Sequence, residues 1–307
     1  MHLSPSASAN ARTFLEHSAR PLERALFHHH FDHASVATVL AELAAVRNPD
    51  GGFSLEPDVQ SPVSSVLGTT VAFQILARLG VGAEEPLVRD GVRFLEATFD
   101  AATGVWPIVP PAVVAAPHAP WWDGADDSVT FALRWSGFRH NPRAEVIGHL
   151  LHWRAAVAPA FIDRVLAAFG WPDPVPGSQL EMHDLLCWVR LAQSPGLDPA
   201  TRTRVVQRLA PLVDTGVSRD PAAWEKYGLT PLSVVKSPDS PLATVLGEAA
   251  IAANLDWLIT RQGDDGAWRP TWNWGGRFPE AWQRSERVWS GMLTLDALLV
   301  LRAFGRW

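Results

Sequence analysis

Cysteine occurs once in this chain, at Cys187, which rules out an internal disulfide framework and fits a reducing compartment. Tyrosine is equally scarce, with Tyr227 alone. No stretch approaches the ~18 uninterrupted apolar residues that a bilayer-spanning helix needs. Neither sign of charge dominates: 26 Lys and Arg stand against 32 Asp and Glu, a net charge of −6. That balance gives no basic face for nucleic acid or an anionic membrane. Met1 to Asn10 is rich in Ser and Ala but lacks a basic region and a long apolar core, so it reads as a flexible lead rather than a secretion signal. P-loop, dinucleotide fingerprint, nucleophile elbow and zinc-finger spacing are all missing. The expectation is a soluble, cytoplasmic protein with no cofactor, no metal, no nucleic-acid partner and no stable membrane insertion. Nothing in these features indicates an oligomeric state.

What the chain does have is apolar material and tryptophan. It is 47% hydrophobic and only 19% charged, with 15 Trp among 307 residues. Trp joins a large apolar face to one N–H donor that wants a partner when buried. Many of these indoles are expected to fill gaps between helices, Trp106 and Trp268 among them. Trp121, Trp122, Trp272, Trp274, Trp282 and Trp289 crowd two loop-rich regions, where a ligand site is the better reading because Trp is also the best cation–π face.

A repeat underlies the pattern. Arg261-Gln262-Gly263-Asp264-Asp265-Gly266-Ala267-Trp268 follows an apolar run from Ala243 to Thr260. A weaker copy, Arg47 to Phe53, follows Ser35 to Val46, and a third, Asp100 to Trp106, follows Leu87 to Phe99. All three end Gly-x-aromatic, at positions 53, 106 and 268, and 162 is three times 54. Fixed-period self-similarity marks a helical repeat, here of roughly 50–54 residues, with two worn copies between 106 and 268.

Gln262 to Trp268 resembles the QW motif of the prenyltransferase and squalene-oxidase repeat superfamily, which includes terpenoid cyclases and protein prenyltransferase β subunits. The copies at 47 and 100 lack the Gln. Six hairpins of about 50 residues would use the length of this chain, so the resemblance implies an all-α fold, one (α/α)6 toroid of helical hairpins over residues 11–307. Arg47 to Phe53, with Glu-Pro-Asp at 56–58 and Pro-His-Ala-Pro-Trp-Trp at 117–122, also looks like uncharacterised bacterial single-domain repeat proteins.

The remaining helices read in order as Arg12 to Phe31 with a break at Pro21, Ser61 to Leu79, Glu84 to Phe99, Arg143 to Val157, Phe161 to Phe169, Gln179 to Ala192, Pro199 to Val213 and Ser285 to Phe304. Between Trp106 and Trp135 five prolines forbid regular helix, and so long a loop inside a domain is usually functional or disordered. Its tail carries His118, Trp121, Trp122, Asp123, Asp126 and Asp127. Asp126 or Asp127 is placed to cap the next helix. Class II cyclases carry Asp-x-Asp-Asp then Thr or Ser at the start of an inner helix, the middle Asp being the proton donor. Asp126-Asp127-Ser128 matches the last three positions, Gly124 stands where the first Asp belongs, and Asp123 is one residue early.

On this resemblance Asp126 is the candidate acid, with Asp127 and Asp123 as modulators. Trp121, Trp122, His118, Trp272 and Trp274 would surround a substrate, with Glu56 and Asp58 at the mouth of the toroid or serving as N-terminal helix charges. Protonating an alkene requires a carboxylic acid kept neutral by an apolar pocket and close carboxylates. Two further clusters read as structural. His29 and His33 sit at a polar helix end, and His183-Asp184 with Cys187 lacks the spacing and later His of a zinc prenyltransferase site. The leading functional expectation is an isoprenoid-processing enzyme resembling class II terpene cyclases, acting on a small apolar substrate. Alternatives are a carbohydrate-active toroid with an acidic Trp-lined cleft and a non-catalytic module for apolar ligands or proteins.

Overall fold

Proline sets where many of the helices begin. Its missing N–H is no loss at a first helical position, and its fixed φ suits that place. In the computed structural model, which describes residues 1–170 and 180–307, Pro5, Pro21, Pro86, Pro159, Pro199, Pro231 and Pro279 each open a helix. In chain order the helices are α1 Pro5–His17, α2 Pro21–Asp32, α3 Val36–Ala45, α4 Val66–Arg78, α5 Pro86–Thr98, α6 Ser128–Arg134 and α7 Arg143–His152. They continue with α8 Pro159–Phe169, α9 Met182–Gln193, α10 Pro199–Gly216, α11 Pro231–Val234, α12 Ala243–Leu246, α13 Glu248–Thr260 and α14 Pro279–Ala303. Among the described residues there is no β-strand, only single bridging pairs such as Arg47 with Phe53 and Val59 with His118. The chain is all-helical, and no helix among the described residues is long and apolar enough to cross a membrane.

Several boundaries differ from those read from periodicity, each for a local reason. Pro5 to Asn10, expected to precede the domain, form the start of α1, because the Ser4 hydroxyl accepts from Ala7 N and Pro5 occupies the first position. The run from Ala243 to Thr260 is two helices: Gly247, at φ 79° and ψ 147°, separates α12 from α13. The last helix starts six residues earlier than expected, at Pro279. Helix α7 stops at His152, and a 3-10 turn, Arg154–Ala156, takes over its expected tail. The expected start of α9 at Gln179 lies outside the described residues.

The repeat turns share a construction. In the first, Asn48 N donates to Gly52 O and Gly51 N to Asn48 O; in the last, Gly263 N donates to Ala267 O and Gly266 N to Gly263 O. Asn48 and Gly263, Gly51 and Gly266, Phe53 and Trp268 are each 215 positions apart. Gly51, Gly104 and Gly266 all lie at positive φ, 90°, 71° and 88°, where L side chains are strained. Phe53 N and Trp268 N both donate to a threonine on a following helix, Thr69 and Thr294. The indoles of Trp106 and Trp268 donate back to the helix they follow, at Leu95 O and Leu258 O, both 2.7 Å. Each outer turn is tied to one other helix. Gln262 donates to Ala7 O and a Cβ on Gly266 would meet Asn10; Arg47 pairs with Asp90 and a Cβ on Gly51 would meet the Asp90 carbonyl. The middle turn is one residue longer, with Asp100 N donating to Val105 O.

The chain divides into two compact units, Met1–Glu42 with Val213–Trp307, and Leu43–Leu212. In the first, α14 packs on α1 and α2, and α13 on α11 and α12. In the second, α4 lies against α5 and α7, and α7 against α8 and α9.

Candidate functional site

The second unit holds a cavity of about 900 Å³, a size typical of small-molecule sites. Its walls come from the turn after α5, the proline-rich loop that follows, α6, and the end of α8. The loop is ordered by local bonds. Pro120–Trp122 forms a 3-10 turn, Ala119 N donates to Asp58 O, and Gln60 N donates to Pro117 O. Val105, Pro107 and Val109 contribute apolar walls, opposed by Phe131 of α6 and by Phe138. Behind Phe131 stand Trp122 and Trp135, stacked at 5.1 Å with their planes 23° apart. Val129 and Leu133 also line the cavity and are 70% and 76% exposed. Being one turn apart on α6, they form an apolar lip.

Beyond α6 the chain takes three successive left-handed residues, Ser136, Gly137 and Phe138, with φ of 54°, 65° and 55°. Such a conformation costs a non-glycine residue about 1–3 kcal/mol. This reversal brings Phe138, Arg139 and His140 into the cavity wall just before α7 starts at Arg143.

The polar end of the cavity is cationic. Arg143 is only 7% exposed, and among the described residues it has no carboxylate partner. One guanidinium nitrogen donates to Ala168 O at 2.5 Å, the group lies 4.8 Å over the Phe169 ring, and its Nε is buried without a partner. Burial, then repulsion from Arg139, lowers its pKa to about 10, so it stays charged at neutral pH. His140 accepts from the Trp188 indole through Nδ1 at 3.2 Å. Since that indole can only donate, the neutral ring keeps its proton on Nε2. Burial, with Arg143 and Arg139 adding to it, lowers the His140 pKa. Among the described residues the one carboxylate on the wall, Asp100, is engaged by Thr103 Oγ1 and by the N–H groups of Ala102 and Thr103, and its pKa is lowered chiefly by the Thr103 hydroxyl. Two guanidinium groups and an imidazole N–H at one end of an apolar chamber can hold an anion.

The acidic residues expected to act there lie elsewhere. Asp126 is exposed and does not line the cavity, although its neighbours Ala125 and Ser128 do. Asp127 is the N-cap of α6, accepting from Thr130 N at 3.3 Å, and the Thr130 side chain is the first cause of its lowered pKa. An exposed acid beside an ionised cap is the opposite of a carboxyl held neutral by burial. Asp123 is drawn to His118, whose Nε2 lies 3.1 Å from its carboxylate. His118 is buried, and its Nδ1 donates to Ala116 O. Glu56 caps its own turn by accepting from Asp58 N, and Asp58 is buried. The structure thus brings Asp58, His118 and Asp123 together around the loop as supports. Trp122 backs the cavity, while Trp121 is half-buried and does not line it. Trp274 is fully buried in the first unit beside Trp282, and Trp272 lines a cleft of that unit.

Reasoning from sequence missed Arg139, His140 and Arg143. Their one signal is a run of basic residues, Arg139-His140-Asn141-Pro142-Arg143, opening a helix whose N-terminus favours acids.

A second buried ionic group adjoins them. Glu145, 2% exposed, accepts from Gln74 Nε2 at 2.5 Å and Arg190 at 2.7 Å, with His149 at 3.5 Å. Burial opposes its ionisation most strongly, yet Arg190 and His149 together outweigh it and the pKa falls to about 2. Burial, with a contribution from Glu145, pushes the Cys187 thiol well up, leaving it an inert core residue.

Comparison with models of known protein families, with curated proteins and with solved structures finds no match.

Proposed function

We propose that this protein binds an elongated apolar molecule with an anionic head, seated in the cavity of the second unit with its head at Arg139, His140 and Arg143. The observation that carries this reading is Arg143, a buried guanidinium that lines an apolar chamber and, among the described residues, lacks a carboxylate partner. Burying a charge without a counter-charge is costly, and an anionic ligand offsets that cost. Within this ligand class the repeat turns favour an isoprenyl diphosphate, because Gln262 to Trp268 resembles the turn of isoprenoid-processing repeats. The shared bonding at the turns after α3 and α13 supports a toroid of helical hairpins as the architecture; a small-angle scattering profile that does not fit a closed ring of hairpins would remove it. Acid-initiated cyclisation is not part of the proposal, since Asp126 and Asp127 face solvent.

Titration with farnesyl diphosphate, followed by calorimetry, tests the reading against farnesol, which lacks the head. Charge-assisted hydrogen bonds contribute about 1.5–3 kcal/mol each, so Arg143→Met is expected to weaken the diphosphate at least ten-fold and leave farnesol unchanged. Arg139→Met, at an exposed position, should weaken it less. Equal affinity for the two molecules, or no effect of either variant, would sink the proposal.

A further inference from the structure

The first unit carries a separate cleft of about 200 Å³ that the reading above does not use. Its floor is built by two helix faces at helical spacing. Asn254, Trp257 and Leu258 come from α13 and Arg261 from its C-cap, and Leu293, Asp296, Ala297 and Val300 from α14. Trp224 and Trp272 stand over it from the loops before α11 and after α13. The chain has only two lysines, Lys226 and Lys236, and both line this cleft.

Three features specify an occupant. Asn254 is fully buried; its Oδ1 accepts from Leu232 N at 2.9 Å, but its Nδ2 has no partner. Leaving a buried donor unmade costs free energy, so an oxygen acceptor on a ligand would complete it. The indoles of Trp224 and Trp257 already hold donor bonds, to Ser218 O and to Glu225, which leaves these side chains to offer apolar ring surface. At the mouth the cations divide. Lys236 is paired with Asp296 at 2.8 Å and Arg261 with Glu225 at 3.0 Å, whereas Lys226 has no carboxylate within 4.0 Å among the described residues. The cleft therefore presents a buried amide donor, aromatic walls and one unpaired ammonium.

We infer that this cleft binds a small single-ring carboxylate, its ring oxygen substituent on Asn254 Nδ2, its ring between the tryptophans and its carboxylate at Lys226. The cleft accommodates one ring with a short side arm and shares no lining residue with the cavity of the second unit, so the two readings stand or fall separately.

The test uses the full chain and three probes of matched size. 4-Hydroxyphenylacetate carries both polar groups, phenylacetate lacks the hydroxyl, and 4-hydroxyphenethyl alcohol lacks the charge. Tryptophan fluorescence and calorimetry should rank the first above the other two by about ten-fold each, one charge-assisted or buried hydrogen bond apart. Lys226→Met, at an exposed position that packing does not depend on, should bring the two carboxylates down about ten-fold and leave the alcohol unchanged. Acylation of lysines followed by peptide mass analysis gives a second readout, in which 4-hydroxyphenylacetate protects Lys226. Asn254→Leu should erase the advantage of the hydroxyl. Should that variant misfold, the Lys226 result and the probe ranking still decide. Equal binding of all three probes, unchanged affinity in Lys226→Met, or binding of glucuronate without binding of the aryl acid would overturn the inference.

Discussion

Glu145 shows how a single carboxyl can organise the middle of a helical unit. It lies between α4, α7 and α9, satisfied by Gln74, Arg190 and His149. Truncation to alanine removes a buried charge and strands its donors; because Arg190 is partly exposed and can rehydrate, Glu145→Ala should cost about 3 kcal/mol, the low end for breaking a buried pair. A shifted urea midpoint with unchanged slope would be the expected signature. Asp184 acts in the opposite direction. Burial, and then the charge of Glu181, raises its pKa to about 6, against the lowering influence of the Asn141 backbone and His183. A carboxyl whose folded pKa is raised favours the fold below its unfolded pKa near 3.8, and that contribution is lost as pH rises through about 6. Asp184→Asn should therefore flatten the fall in melting temperature between pH 4 and 6 and raise it at pH 7. An unchanged profile would show that Asp184 does not titrate with folding. Neither group was legible as buried from the sequence, because Glu145 and Asp184 sit in amphipathic runs where an exposed face is the ordinary reading.

The turns are where element and sequence agree best. A glycine two positions before the aromatic was readable at 51, 104 and 266, and all three adopt positive φ. What the pattern did not reveal is how crowded these sites are. A Cβ on Gly266 would lie 2.2 Å from the backbone of Asn10, while one on Gly275, also at positive φ, meets nothing within 4 Å. Gly266→Ala should cost about 2–4 kcal/mol, left-handed strain plus a backbone clash. Gly275→Ala should cost only the strain, about 1–2 kcal/mol. Equal melting temperatures for the two variants would show that the close approach to α1 is not built in. The threonine acceptors Thr69 and Thr294 escaped notice because they lie 16 and 26 residues beyond the aromatic, a spacing that varies with the loop between them.

For the molecule as a whole, the two units give a sharp expectation. All described residues lining the 900 Å³ cavity fall between Asp100 and Phe169, within one unit. At 100 times its dissociation constant a ligand stabilises the state that binds it by about 2.7 kcal/mol. Hydrogen exchange with saturating farnesyl diphosphate should slow in peptides from α6, the 136–143 link and the end of α8. Protection confined instead to residues 224–300 would place the ligand in the other unit.

The sequence by itself determined the helices and the turns, since both are written in short-range terms: proline at first positions, apolar residues at helical spacing, glycine where φ is positive. It also singled out the loop from Trp106 to Trp135, because five prolines and a Trp pair cannot be regular helix. The choice of chemistry within that loop was decided only by tertiary structure. Burial and counter-charge depend on neighbours far along the chain. Asp126 and Asp127 resemble a catalytic pair by type and order, yet one is exposed and the other caps α6. Arg143 carries no motif, and it acquires its character only when the end of α8 closes over it and, among the described residues, no carboxylate comes with it.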